Sequence, residues 1–278
     1  MIIYRPSEPK ASQWNNGVEL NGFDLCYLGL SALPKGQIVV VSIRGEVFSF
    51  GGGEGGNEET LNRESRRGTI WSLKTIDNKL YAAACNRSVG VKEGIDNWSW
   101  LTADIPYNTG NYSEGFDDVD GFSAKDLYAV GGKGDVWHYN GKTWRAVNFP
   151  AKDELATVCC GADGKVYISG ASGVSFVGRE DRWQKIDAPN LPFAFKDMLW
   201  YESKVWCTNA HGVWWIEGDK LMQADIPNSV KVCAGNLSTR DGVLMLAGFG
   251  GAAMLENGEW NTLFHYSDMV EQCKKSKK

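Results

Sequence analysis

The side chains able to do chemistry in this 278-residue sequence are few and scattered. Asp118, Asp120, Asp197 and His211 are the acids and the base that a hydrolase or lyase would need at the mouth of a central channel. The run Asp117-Asp118-Val119-Asp120 carries carboxylates of the kind that bind calcium or a sugar, although solvated loop acids have the same composition. His138, His211 and His265 have no ligand spacing between them, so no metal centre is expected. Gly-x-Ser-x-Gly elbows, P-loops and dinucleotide fingerprints are absent from the sequence. GGGEGG at 51–56 lacks the lysine and following helix of a phosphate cradle, so no cofactor is expected either. These groups assemble into no recognisable catalytic set, and the chain reads as a non-enzyme.

The elements that must hold these residues are short strands. DLYAVGGKGDVWHYNGKTW, residues 126–144, is a run of β-formers, a glycine turn, a second strand, an Asn-Gly turn and a tryptophan that opens a third strand. Tyr128, Tyr167, Trp206 and Met245 fall 39 residues apart, as do Gly134, Gly173, Gly212 and Gly251. A period of about 40 residues built from four short strands is the pattern of a β-propeller. The expectation is an all-β chain, one propeller of six blades of four antiparallel strands, with seven blades as the alternative. The propeller would span residues 1–265, and 266–278 would be a polar tail able to form a short helix. Residues 1 to about 20 do not fit the repeat and are expected to supply an edge strand that closes the ring.

In each unit the large side chain of the second strand would fill the wedge between blades. Trp144, Trp183 and Trp260, at the turn into the last strand, would be packing pegs between blades. The recurring glycines would permit the positive φ of tight hairpins. Two long polar connections interrupt the pattern, residues 51–68 and 103–118. The first contains too few apolar residues to pack and reads as a mobile loop.

Asn140-Gly141-Lys142-Thr143-Trp144, with weaker echoes ending at Trp183 and Trp260, resembles the aspartate-box hairpin of bacterial sialidase-type and BNR propeller repeats. The resemblance implies the propeller architecture. It implies no activity, because the Ser and Asp that define the box are missing and Arg5, Arg44, Arg87 and Arg145 form no evident carboxylate-binding cluster.

Net charge is −5 with a pI near 5.4, which gives no footprint for nucleic acid or anionic lipid and fits a basic partner better. No apolar run is long enough for a membrane span or signal peptide, and the seven cysteines are an odd set in apolar strand patterns. Reduced core thiols of a bacterial cytoplasmic monomer are the expectation. Loops joining the fourth strand of one blade to the first of the next share a propeller face with the turns between second and third strands. That face carries both long connections and the candidate binding residues Arg44, Arg87, Tyr107, Tyr112, Asp118, Lys133, His211 and Phe249. The reading is a binding propeller that recognises a protein through this face, of the immunity or antitoxin type that neutralises a toxin. A carbohydrate-binding lectin and a channel-mouth hydrolase or lyase are the alternatives.

Overall fold

Runs of β-branched and aromatic residues separated by tight turns pair each strand with its neighbour in sequence, so the chain folds as a series of local sheets. The computed structural model describes residues 2–4, 15–17, 19–32, 35–61, 68–107, 114–188 and 191–275. After a two-stranded pair, β1 (Ile2–Tyr4) and β2 (Asn15–Gly17), six four-stranded antiparallel sheets follow as the blades of a propeller. Blade one is β3 (Cys26–Ser31), β4 (Gln37–Ser42), β5 (Glu46–Gly51) and β6 (Glu54–Thr60). Blade two is β7 (Ile70–Ile76), β8 (Lys79–Ala84), β9 (Ser88–Gly94) and β10 (Asn97–Trp100). Blade three is β11 (Asp118–Ser123), β12 (Asp126–Gly131), β13 (Asp135–Tyr139) and β14 (Trp144–Ala146). Blade four is β15 (Leu155–Cys160), β16 (Val166–Gly170), β17 (Ser175–Arg179) and β18 (Arg182–Lys185). Blade five is β19 (Asp197–Tyr201), β20 (Lys204–Asn209), β21 (Gly212–Glu217) and β22 (Lys220–Gln223). A single helical turn, α1 (Asn228–Lys231), leads into blade six, which is β23 (Gly235–Arg240), β24 (Val243–Gly248), β25 (Gly251–Glu256) and β26 (Glu259–His265). The tail forms α2 (Tyr266–Lys275), the short helix its composition suggests.

Four expectations are corrected. The stretch 51–68 is not simply a mobile loop: Glu54–Thr60 is the outer strand of blade one, paired with β5 through Glu46↔Thr60, Val47↔Glu59 and Phe48↔Glu58. The apolar run from Val230 to Ala234, whose place in the repeat predicts the inner strand of blade six, instead starts within α1, and that strand begins at Gly235. Asp118 and Asp120 do not precede the inner strand of blade three but lie in it. Finally, of the segment expected to close the ring, the described strands β1 and β2 pair with each other and with no blade, and residues 1, 5–14 and 18 lie outside the described residues.

The blades are joined by apolar wedges. Tyr128, Tyr167 and Trp206, one per repeat, are 0%, 3% and 6% exposed and lie in the clusters between blades three and four, four and five, and five and six. Burying a side chain of this size contributes roughly 2–3 kcal/mol. Trp144, Trp183 and Trp260 pack as pegs against the preceding blade, and the Trp144 indole N–H donates to the Leu101 carbonyl of blade two at 3.1 Å. The fourth member of the aromatic series differs, since Met245 is 40% exposed. Gly134 and Gly173 take the expected positive φ, +69° and +70°, whereas Gly212 is not among the positive-φ residues.

The junction between blades one and two contains a buried ion pair. Lys92 Nζ on β9 lies 2.7 Å from Glu59 Oε2 on β6, with side chains 0% and 1% exposed. Its other contacts satisfy both groups: Lys92 donates to Gly94 O at 2.8 Å, and Glu59 accepts from Ser49 Oγ at 2.7 Å and Asp96 N at 2.9 Å. A polar outer strand is thus held by one charge that reaches inward. Lys92→Met leaves the Glu59 carboxylate buried without its cation and should cost about 3–5 kcal/mol in urea unfolding. The double variant Lys92→Met with Glu59→Leu should recover most of that loss; a single variant of unchanged stability would contradict the role given to the pair.

Candidate functional site

Backbone hydrogen bonds build the face on which the long connections run. In blade three, Gly134 N donates to Asp153 O at 3.0 Å and Leu155 N to Gly132 O at 2.9 Å, so the turn between second and third strands is stitched to the connection leaving the same blade. Phe116 N to Ala84 O at 3.2 Å and Leu191 N to Ser172 O at 3.3 Å do the same in blades two and four. Approach is close enough to demand glycine. A Cβ on Gly170 would sit 2.2 Å from Glu154 O, and one on Gly131 would sit 2.3 Å from Gly115 O. The loop face is therefore a fixed frame that presents its tips to solvent.

Four candidates stand at exposed tips: Arg44, Lys133, His211 and Phe249, on blades one, three, five and six. Phe249 is 95% exposed and Tyr107 38%. His211 stacks on Phe193 with ring centroids 4.0 Å apart, and Arg44 pairs with Asp24 at 3.4 Å. Two candidates are instead committed to the architecture. Arg87 donates through Nε to Asp135 Oδ2 at 2.7 Å and through Nη1 to Pro106 O at 2.8 Å, and it packs over the Trp137 ring at 5.2 Å. It ties blade two to blade three. Asp118 is 6% exposed. Tyr112 lies outside the described residues.

The acids of the channel hold blades together. Asp118 accepts from Ser72 Oγ of blade two at 2.8 Å and, from blade four, from Thr157 Oγ1 at 2.8 Å and Val158 N at 3.0 Å. Asp120 accepts from Cys160 N at 2.8 Å, and Asp197 from Leu237 N at 2.9 Å. Lys74 reaches from blade two to blade five, 3.0 Å from Met198 O and 3.5 Å from Asp197. Burial alone would lower the Lys74 pKa, but the carboxylates of Asp197, Asp120 and Asp118 reverse this and hold the ammonium charged. The oxygens a hydrolase would use thus already accept bonds from neighbouring blades, and no hydrogen bond described joins any of these acids to His211. The carboxylates could not be recognised as clasps from sequence, because their donors lie about 40 residues away in the next blade; the 39-residue period was the one available signal.

On the opposite face, a cleft of about 430 Å³ between blades four and five is lined by Asp163, Tyr167, Trp200 and Ser203. The Tyr167 hydroxyl donates to Asp163 Oδ2 at 2.8 Å. Cys159, Cys207 and Cys233 are buried free thiols, while Cys26 is exposed.

No family model matches the chain. The six-bladed propeller stands on the strand topology, and no family model supports the resemblance to sialidase-type and BNR repeats. A curated protein, the Immune protein Tsi7 of Pseudomonas aeruginosa strain PAO1, is 28% identical over 215 residues, which cover 76% of this chain and 70% of that one. Among solved structures, catalytically inactive virginiamycin B lyase from Staphylococcus aureus with quinupristin superposes with a TM-score of 0.67 at 12% identity, covering 88% of this chain and 86% of that one. YCF48 bound to D1 peptide gives a TM-score of 0.59 at 13% identity, covering 94% and 86%. Likeness at those identities is likeness of fold.

Burial, then the charges of Asp118 and Glu154, push the Asp117 carboxyl up to about 7, and burial pushes Asp120 up to about 6 against the opposing pull of Lys74. Both lie above the ordinary value of 3.8, so the folded state keeps protons that the unfolded chain releases. The contribution of these two groups to stability is therefore largest below pH 4 and declines as pH rises through 6 to 7. Asp117→Asn should raise Tm more at pH 8 than at pH 5, with a difference of ~2–4 °C per kcal/mol relieved. Equal gains at both pH values would contradict this assignment.

Proposed function

We propose that this chain is an immunity-type protein, a non-catalytic propeller that binds a protein toxin through its loop face and neutralises it. The observation that carries the reading is the 28% identity to Immune protein Tsi7 across 215 residues. The site chemistry supports it, because the channel acids are spent on blade-to-blade hydrogen bonds while rigid loop tips offer Lys133, His211 and Phe249 to solvent. A lectin reading has less to stand on, since Trp144, Trp183 and Trp260 pack between blades.

We infer further that the chain acts as a monomer in the cytoplasm, in keeping with its buried free thiols, and that its target is basic, in keeping with the net charge of −5. The test is to express the products of neighbouring reading frames one by one, take any that kills cells as the candidate toxin, and co-express it with this chain. Growth should return when this chain is present, and the two proteins should co-purify in fixed stoichiometry. Killing that continues at full expression of this chain, with no complex, would overturn the reading. Once the complex is in hand, the association rate should fall by roughly 10-fold or more between low and high salt; a rate indifferent to salt would remove the basic target.

A further inference from the structure

Blade three meets blade four over Tyr128, and a side chain from the far blade closes that seam. Arg179, the last residue of β17 to pair before its outer turn, lays its guanidinium 4.3 Å over the Phe122 ring and pairs with Asp126, both of blade three. Glu180, which follows it, donates its N–H to the Tyr128 hydroxyl at 3.2 Å. One repeat later the seam is built differently. Tyr167 stands 39 residues after Tyr128, and Glu217 is the last paired residue before the outer turn of blade five, where blade four has Arg179. Glu217 turns to Lys204 of its own blade at 3.5 Å, and the Tyr167 hydroxyl donates to Asp163 of its own blade at 2.8 Å. The turn continues with Gly218, where a Cβ would meet nothing within 4 Å. The cleft of about 430 Å³ between blades four and five lies where the arginine bridge is missing.

The walls of this cleft combine rings with polar groups. Trp200 is half-buried and its ring centroid lies 6.3 Å from that of Tyr167. Gly161 gives it room, since a Cβ there would sit 2.7 Å from Trp200 Cε3. Beside the rings stand the Asp163 carboxylate, the Lys165 ammonium and the Ser203 hydroxyl. Asp163 is held in place by the Tyr167 hydroxyl and by Lys165 N at 3.1 Å, and each of its oxygens keeps a further lone pair. Burial, then the bond to Asp163, push the Tyr167 pKa up, so the hydroxyl keeps its proton and the carboxylate stays the acceptor. Lys165 Nζ is 3.6 Å from Asp163, beyond hydrogen-bond length, and its side chain is 56% exposed, so its N–H groups can serve a ligand.

We propose that this cleft binds a pyranose sugar, with one face of the ring against Trp200 and adjacent hydroxyls bonded to Asp163 and Lys165. An acceptor and a donor side by side match vicinal hydroxyls, and an aromatic wall matches the C–H face of the ring. The volume falls within the roughly 300–1,000 Å³ of small-molecule sites. A guanidinium in the manner of Arg179 fits less well, because Lys165 occupies the repeat position that holds Asp126 at the closed seam and its charge offsets that of Asp163. The site lies on the face opposite the loop tips, so it stands or falls apart from the immunity reading. It is a single cleft, distinct from the repeated tryptophans, which stay in the wedges.

The test titrates the full-length chain with the methyl glycosides of glucose, galactose, mannose and N-acetylglucosamine, followed by saturation-transfer NMR, with N-acetylarginine amide as the guanidinium probe. Wild type, Lys165→Ala and Trp200→Leu are compared, with circular dichroism and Tm on each. At least one glycoside should bind wild type with a Kd on the order of 1 mM, and each variant should weaken it by about 10-fold or more. Lys165 is exposed, so its replacement should leave the fold intact and carries the comparison by itself if Trp200→Leu lowers Tm. Saturation transfer to none of the glycosides at about 10 mM would overturn the proposal, as would binding to Lys165→Ala within about 2-fold of wild type. Binding of N-acetylarginine amide alone, lost in the variants, would overturn the sugar and assign the cleft to a cation.

Discussion

Each blade is a four-stranded sheet with two faces, and in a propeller both faces must be covered by neighbouring blades. That constraint governs nearly every special residue in the chain. It places Tyr128, Tyr167 and Trp206 in the wedges and sends the Trp144 indole back to the Leu101 carbonyl of the blade before. It brings Lys92 against Glu59 across the first junction, where apolar wedge residues give way to a matched pair of charges. Stability therefore accumulates junction by junction.

The same constraint explains why the acids that look catalytic are not arranged for catalysis. Inner strands converge on the axis, where backbone N–H groups at the edge of each sheet have no further strand to pair with. Asp118 and Asp197 accept from Val158 and Leu237 of the following blades, and Lys74 crosses the channel to join blade two to blade five. Carboxylates so engaged are fixed in place and short of lone pairs, and the cost of burying them appears as the raised pKa of Asp117 and Asp120. The loop tips, which the same stitched backbone holds still, present Lys133, His211 and Phe249 to solvent.

The fold was readable because the 39-residue period survives in side chains that the wedges require. Reading failed where burial depends on a partner far away in sequence. Glu54–Thr60 has no apolar pattern, and only the distant Lys92 explains why a polar strand holds there. Arg87 looked like a free surface cation, yet Asp135, 48 residues on, and the Trp137 ring occupy it. Met245 fitted the period but not its purpose, since the period predicts a position and not whether a neighbouring blade covers it. Of the candidate site, the exposed tips Arg44, Lys133, His211 and Phe249 were found by their place in the repeat, and the cleft between blades four and five was not.

Amide hydrogen exchange of the chain, free and bound to the toxin, tests the account most directly. Recognition through the loop face predicts protection confined to the turns between second and third strands and to the interblade connections, the turns carrying Lys133, His211 and Phe249 among them. Protection centred instead on the opposite face, at residues 162–165, 202–203 and 218, would contradict it.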